Sequence, residues 1–199
     1  MIISRTPLRI SFFGGGTDYP DWYRRFGGEV ISTTIDKYIY ITARYLPPFF
    51  KYRYRIVYSK VETVNKVNDI EHIVVRELIK QSKIKKGIEL HYDGDLPSKS
   101  GMGSSSSFIV GCMNIFLSLN KDLNEKKNLA QKSLNFEQNI LKEIVGSQDQ
   151  VASSYGGFNS IIFNTDGSFL VKPIKLKKTI KEKLNKRLFL VFTGYQRRA

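Results

Sequence analysis

The stretch Asp95-Leu96-Pro97-Ser98-Lys99-Ser100-Gly101-Met102-Gly103-Ser104-Ser105-Ser106-Ser107 runs directly into an apolar segment at 108–117, and this junction decides the fold. Two glycines and four serines ahead of apolar residues predict a loop that ends at a helix N-terminus. Such an end carries backbone N–H groups without intrahelical partners and the positive end of the helix dipole. Gly101 and Gly103 allow close approach of a bulky anion and a positive φ.

The serines of this loop can cap the helix, bond phosphate oxygens or hold a magnesium ion. A cap alone needs only one or two of them, so we interpret residues 97–107 as a phosphate cradle. The loop is not a Walker A motif, because no Gly-Lys-Ser or Gly-Lys-Thr follows at the required spacing.

Composition indicates a globular protein whose ligands are acidic. The chain has 199 residues, 41% of them hydrophobic, and a formal net charge of +14. Nucleic acid and small polyanionic substrates both suit that charge. Much of the excess lies between positions 172 and 187, and a lysine run of this kind is usually a solvated face. No apolar run reaches the roughly 20 residues of a membrane span, and no signal peptide is recognisable. We therefore expect a cytoplasmic protein without a membrane partner.

Hydrophobic periodicity predicts a mixed α/β protein. Strands are expected at 1–13, 29–45, 52–59 and 87–92, and a helix from Asp69. Helices follow at about 104–119 and 124–144, and a short one begins near 147–149. A hairpin is expected around Thr165-Asp166-Gly167. The last expected strand, at 187–192, stops almost at the chain end, which suggests that more protein normally follows.

Carboxylates in the second half of the chain can support phosphoryl transfer. Glu137 is the candidate to share magnesium with the hydroxyl of Ser104 or Ser105, since magnesium prefers oxygen ligands. Asp149, just past a helix break, can accept a hydroxyl proton or serve merely as a first-turn acid. Arg9 can lie beside the transferring phosphate or be a surface charge.

A second block, Thr6-Pro7-Leu8-Arg9-Ile10-Ser11-Phe12-Phe13-Gly14-Gly15-Gly16-Thr17-Asp18-Tyr19-Pro20, offers amides and a carboxylate in a tight turn. Such groups suit polyhydroxylated ligands, although a turn before a helix capped by Thr17 or Asp18 would look the same. His72 and His91 do not form a metal-ligand cluster with Cys112, and Cys112 is expected to be a packed thiol.

Four blocks in this order resemble the N-terminal part of a GHMP small-molecule kinase, the family of galactokinase, homoserine kinase and mevalonate kinase. They are the Pro7 to Tyr19 block, the loop from Leu96 to Ser106, Glu137, and Gly146-Ser147-Gln148-Asp149-Gln150. The resemblance implies an α/β two-layer domain of the ribosomal-protein-S5 domain-2 type, with ATP and Mg²⁺ as cofactors. It implies catalytic Asp149 and Arg9 and a metal held by Ser104 and Glu137. The implied ATP-binding residues are Pro97, Lys99, Ser100, Gly101, Met102, Gly103, Ser104, Ser105 and Ser106. The implied substrate-binding residues are Gly15, Gly16, Thr17, Asp18 and Tyr19.

Lys99 and Met102 depart from the family's usual glycine and leucine. The Ser-Gly-Met-Gly-Ser form is similar to that of bacterial heptose 7-phosphate kinases, which act on the anomeric hydroxyl of a manno-heptose 7-phosphate. A sugar phosphate is thus the implied partner, and nucleic acid is not. A kinase of another sugar, of the galactose or fucose type, and an RNA-binding module of S5-like fold remain alternatives.

The resemblance covers nearly all of residues 1–199 as an ATP- and sugar-binding domain, with the start of a C-terminal domain near 187–199. The family's third glycine-rich motif and its ferredoxin-like C-terminal domain are absent. We therefore expect slow or no turnover from this chain alone.

Overall fold

The β-branched and aromatic residues from position 28 to 45 form one long strand at the centre of the molecule. The computed structural model describes residues 1–82, 84–97, 100–122 and 125–191. Its strands are β1 (Ile2–Phe13), β2 (Gly28–Tyr45), β3 (Tyr54–Val57), β4 (Val61–Val64), β5 (Ile88–Gly94), β6 (Phe158–Phe163) and β7 (Phe169–Pro173). Its α-helices are α1 (Pro20–Phe26), α2 (Ile73–Gln81), α3 (Ser104–Leu119), α4 (Lys126–Asn135), α5 (Gln148–Tyr155) and α6 (Lys178–Asn185), with a 3-10 helix at Val67–Asp69 and a π-helix at Phe136–Ile140.

Strand β2 organises the sheet, whose order is β4-β3-β5-β2-β6-β7 with β1 also paired to β2. The C-terminal half of β2 pairs with β5 and its N-terminal half with β6, both antiparallel. Strand β1 runs antiparallel along β2, with register shifts between Pro7 and Arg9 and between Ser11 and Phe13. Strands β3 and β5 are parallel. The first shift lies directly beside Arg9, a candidate site residue.

Helix α3 packs closely onto one face of the sheet, because Gly111 leaves room for it. A Cβ atom at Gly111 would lie 2.8 Å from Thr6 Oγ1 on β1 and 3.0 Å from Ile41 Cδ1 on β2. Cys112 and Ile115 of the same helix are fully buried, in agreement with the expected packed thiol. This contact fixes the middle of α3 relative to β1.

The opposite face of the sheet carries polar side chains, so the fold has two layers, and its mixed α/β class is as expected. Glu89 on β5 is bound there by Arg44 Nε and by Arg55 Nη1, both at 2.5 Å. His91 lies 3.2 Å from Glu89 through its Nε2 atom. We call these four residues the sheet-face cluster. Burial works against ionisation of Glu89, but hydrogen bonds from Arg44, Arg55 and His91 lower its pKa to about 2.

Three expected elements differ in the structure. The helix expected from Asp69 starts only at Ile73, because the Glu62 carboxylate accepts the N–H groups of Glu71 and His72 at 2.6 and 3.1 Å and holds them outside it. The helix expected at 124–144 ends at Asn135 and continues as a π-helix, in which Leu141 N donates to Phe136 O at 2.9 Å.

The strand expected at 187–192 is wrong for its described part. Residues 187–191 have no strand conformation and join none of the described sheet pairings, and Phe189 is 84% exposed. Position 192 lies outside the described residues. The expected hairpin is present as β6 and β7, whereas β4 and α6 had no counterpart in the sequence analysis. Helix α6 buries no side chain, which agrees with a solvated basic face. Among the described helices, none is both long and apolar enough to cross a bilayer.

Candidate functional site

The glycine–serine loop ends in a left-handed residue at the start of α3. Gly103 has φ 72° and ψ 25°, and its carbonyl accepts the first helical hydrogen bond from Ser107 N at 2.9 Å. Gly101 also has a positive φ, of 76°. The N–H groups of the first turn therefore face the loop without intrahelical partners. Ser98 and Lys99 lie outside the described residues, so the expectation for Lys99 has no structural account here.

Arg9 and Asp149 meet directly above Gly103. Arg9 Nε donates to Asp149 Oδ1 at 2.6 Å, and Nη2 donates to Oδ2 at 2.7 Å. The third guanidinium nitrogen, Nη1, donates to Gly101 O at 3.0 Å, and Arg9 N donates to Met102 O at 3.3 Å. Arg9 thus ties strand β1 to both the loop and helix α5. It lies within β1, the strand expected at 1–13.

This ion pair is partly shielded, with side chains 13% and 20% exposed for Arg9 and Asp149. Burial raises the pKa of the Asp149 carboxyl above its ordinary value, while Arg9 opposes that shift. Each carboxylate oxygen accepts one hydrogen bond from Arg9 and keeps a lone pair for another donor. The arrangement can orient a hydroxyl group next to a fixed positive charge.

A buried polar cluster lies behind the loop. Ser106 Oγ donates to Glu137 Oε1 at 3.0 Å, and Gln150 Nε2 donates to Glu137 Oε2 at 2.6 Å. Glu137 is 1% exposed and stands on the π-helix. Burial raises the pKa of its carboxyl, and the hydrogen bonds from Gln150 and Ser106 oppose the shift.

The hydroxyl beside Glu137 is that of Ser106, not of Ser104 or Ser105 as the sequence analysis expected. Successive helical residues point about 100° apart, so only some of the four serine side chains can face the protein interior. Ser105 is exposed and Ser104 is half-buried, whereas Ser106 is 4% exposed. A metal role for Ser104 stays a prediction without a contact to support it.

The acid of the N-terminal block has structural partners. Asp18 is 1% exposed, and its carboxylate accepts hydrogen bonds from Gly16 N at 3.0 Å and Gln148 N at 3.1 Å. Asp18 O also accepts from Ser147 N at 2.9 Å. A Cβ at Gly146 would lie 2.0 Å from Asp18 Oδ2, so this glycine admits the carboxylate to the start of α5.

The neighbours of Asp18 complete the turn. Thr17 Oγ1 donates to Gly14 O at 2.7 Å, and Tyr19 is the N-cap residue of α1 without a side-chain bond. A cap by Thr17 or Asp18 is therefore wrong, because both side chains are engaged elsewhere. Gly15 and Gly16 lie in this turn, which the Asp18 carboxylate links to the start of α5.

Ser107 and Ser153, which join these blocks, were not predicted as site residues from the sequence. Ser107 Oγ lies 2.8 Å from Ser153 Oγ and donates to Pro7 O at 3.2 Å, which links α3, α5 and β1. Gln150 was quoted only as part of a motif. The serine run itself was the available signal, since four hydroxyls exceed what a cap needs. The described residues contain no group of three or more His, Cys, Asp or Glu side chains that would hold a metal by itself.

Comparison with known proteins identifies relatives of this arrangement. Residues 65–157 match the family model described as the GHMP kinases N terminal domain. The whole chain is 30% identical to the D-glycero-alpha-D-manno-heptose 7-phosphate kinase of Campylobacter jejuni subsp. jejuni serotype O:2, of which it covers 61%. It is 26% identical, over 98% of its length, to the galactokinase of Pyrococcus furiosus, of which it covers 54%.

A solved structure has the same fold. The D-glycero-D-manno-heptose 1-phosphate kinase from Bacteriodes thetaiotaomicron superposes with a TM-score of 0.84 at 23% identity, over 92% of this chain and 63% of that one. This chain therefore spans less than two thirds of the length of each of these relatives.

Proposed function

We propose that this chain is the N-terminal part of a sugar-phosphate kinase of the GHMP family. Residues 1–199 would form the ATP- and sugar-binding domain, with the start of a further domain near 187–199. The single observation that carries the proposal is the Arg9–Asp149 pair directly above Gly103, at the N-terminus of α3.

ATP, the phosphate donor of this family, would bind with its phosphates on the loop at 97–107. The free N–H groups of the first turn of α3 suit phosphate oxygens. Gly103 leaves room for the Arg9–Asp149 pair beside the loop, since a side chain there would meet both residues.

Asp149 would accept or orient the proton of the attacking hydroxyl, and Arg9 would offset charge on the transferring phosphoryl group. The bidentate pair keeps the carboxylate in one orientation, and each of its oxygens keeps a lone pair for the hydroxyl. Gly15, Gly16, Thr17 and Tyr19 would contact the sugar. Asp18, whose buried carboxylate binds Gly16 N and Gln148 N, would hold their turn against α5.

Magnesium suits the buried polar cluster behind the loop. The side chains of Ser106, Glu137 and Gln150 offer oxygen atoms, and only Glu137 supplies a carboxylate. Such a site suits a metal that is bound chiefly through substrate phosphates and keeps several waters. Glu137 would hold it together with a serine hydroxyl of α3. When bound, the ion would neutralise charge on the ATP phosphates.

The favoured substrate is D-glycero-D-manno-heptose 7-phosphate, converted at its anomeric hydroxyl to the 1,7-bisphosphate in nucleotide-heptose synthesis. The Campylobacter relative supports this choice, and the strongly basic chain suits a phosphorylated sugar. Galactose is the second candidate, supported by the Pyrococcus relative.

A kinase assay with a sugar panel tests the proposal, with sugar binding in the presence of nucleotide as a second readout if turnover is slow. We expect phosphorylation of heptose 7-phosphate over galactose. In a form of the protein that turns over at a measurable rate, Asp149→Asn should lower kcat by roughly 10²–10⁴ and leave ATP affinity unchanged, because it keeps the shape of the side chain and removes the acceptor charge. An Asp149→Asn chain with the kcat of wild type would contradict the role of Asp149. Equal kcat/KM for galactose and heptose 7-phosphate would favour the second candidate.

A further inference from the structure

Gln150 is a buried residue of the site to which the proposed function gives no role. It is 0% exposed and follows Asp149 in the first turn of α5. Its Nε2 atom donates to Glu137 Oε2 at 2.6 Å and to Ser106 Oγ at 3.3 Å. Because Ser106 Oγ donates to Glu137 Oε1, a different residue holds each oxygen of the carboxylate.

Chemistry fixes the orientation of the Gln150 amide. The opposite orientation would place Oε1 at 2.6 Å from a carboxylate oxygen, with two acceptors facing each other and no proton between them. The nitrogen therefore faces Glu137, and Oε1 remains available to accept a hydrogen bond from another group.

The oxygen of the Gln150 amide, Oε1, points to a ligand. This atom is buried and has no hydrogen-bond partner within the described part of the chain. Buried carbonyl oxygens are nearly always paired with a donor. An unpaired acceptor beside a carboxylate and a hydroxyl indicates a donor other than the described residues.

We propose that Gln150 is a positioning residue of the metal site: Nε2 fixes the Glu137 carboxylate, and Oε1 accepts a hydrogen bond from a water of the hydrated metal. The inference rests on the proposed role of Glu137 as a metal ligand. Magnesium keeps several waters when it binds nucleotides, and residues that hydrogen-bond to a ligating carboxylate set its orientation.

Gln150→Met tests the proposal, because methionine keeps the length of the side chain and removes both the donor and the acceptor. Gln138→Met is the matched control. Gln138 is adjacent to Glu137, but its amide donates to Val145 O at 3.3 Å and Ser147 Oγ at 3.0 Å. Electron paramagnetic resonance of free Mn²⁺, titrated into the chain with saturating ADP, gives the metal affinity. ADP affinity in EDTA and the thermal unfolding midpoint are measured beside it.

We expect Gln150→Met to raise the Mn²⁺ dissociation constant by about 10-fold or more, the usual effect of removing a partner of a metal ligand. ADP affinity in EDTA should stay within twofold of wild type, and Gln138→Met should match wild type in metal affinity. Gln150→Asn, which keeps the amide but is too short to span the same contacts, should weaken Mn²⁺ binding as well and provides the test if the methionine variant does not fold.

The outcomes separate this inference from the proposed function. Wild-type Mn²⁺ affinity in both Gln150 variants, together with weakened binding in Glu137→Gln, overturns the role of Gln150 alone. Unchanged Mn²⁺ affinity in Glu137→Gln overturns the metal role of Glu137, and the role of Gln150 with it.

Discussion

Gly103 is constrained at the scale of a single residue by its backbone and by its surroundings. Its φ of 72° is one that L side chains rarely adopt, and a Cβ there would lie 3.0 Å from Asp149 Oδ2 and 3.4 Å from Arg9 Cζ. Gly167, in the turn between β6 and β7, has a φ of 87° but nothing within 4 Å of an added Cβ. Comparing substitutions at the two glycines therefore distinguishes the cost of a left-handed backbone from the effect of a side chain that contacts Arg9 and Asp149.

We predict that Gly103→Ala weakens ATP binding at least 10-fold, because the methyl group would push Arg9 away from the loop that holds the phosphates. Gly167→Ala should bind ATP as wild type does. Both variants should lose a similar free energy of unfolding, about 1–2 kcal/mol, for the left-handed backbone. Calorimetric ATP titration and denaturant unfolding of both variants measure these effects. Wild-type ATP affinity in Gly103→Ala would show that the phosphates bind elsewhere.

The sequence predicted the loop but not which of its serines faces Glu137. Glycine and serine spacing predicted the loop, because backbone freedom and free N–H groups follow from residue type. Whether Ser104, Ser105 or Ser106 contacts Glu137 could not be predicted, because it depends on how α3 is rotated about its axis against the sheet. That rotation is set by contacts such as Gly111 with Thr6, which the local sequence does not encode.

At the scale of elements, the sheet-face cluster joins three strands. Glu89 on β5 binds Arg44 on β2 and Arg55 on β3, at the register positions where these residues are cross-strand neighbours. Its pKa is lowered from 4.5 to about 2, so the ionised form stabilises the folded sheet. This contribution is fully present above about pH 4.5 and is lost as the pH falls towards 2.

We predict that Glu89→Gln lowers the free energy of unfolding by about 2 kcal/mol at pH 7, a figure reduced for the solvent exposure of the two arginines. The difference from wild type should shrink steadily between about pH 4.5 and 2. Denaturant unfolding across that range measures it, with Glu182→Gln on the exposed helix α6 as control. A difference that does not change with pH would contradict the assignment.

Elements with strong apolar patterns were predictable, and elements set by tertiary contacts were not. Strand β2 and helix α3 follow from their composition, and the β6–β7 hairpin from its turn residues. The start of α2 depends on Glu62, which lies in another element. The π-helix that carries Glu137 depends on an i to i+5 hydrogen bond that no residue pattern announces.

On the scale of the whole molecule, the site joins residues that are 140 positions apart in the chain. Hydrophobic patterns predicted strands and helices but not which of their ends converge. The resemblance to GHMP kinases supplied the expected roles, while the fold brings Arg9, Gly103 and Asp149 together. Asp18 makes the second long-range link, to the start of α5.

The most direct test of the central claim is to map ATP–magnesium binding on the ¹⁵N-labelled chain by NMR. We predict amide shift changes centred on residues 100–107 and 149–150, saturating at one nucleotide per chain, because the phosphates bind at the N-terminus of α3. Shift changes centred on the basic helix α6 and lost with added salt would instead indicate nonspecific attraction to a chain of net charge +14, and would contradict a phosphate site beside Arg9 and Asp149.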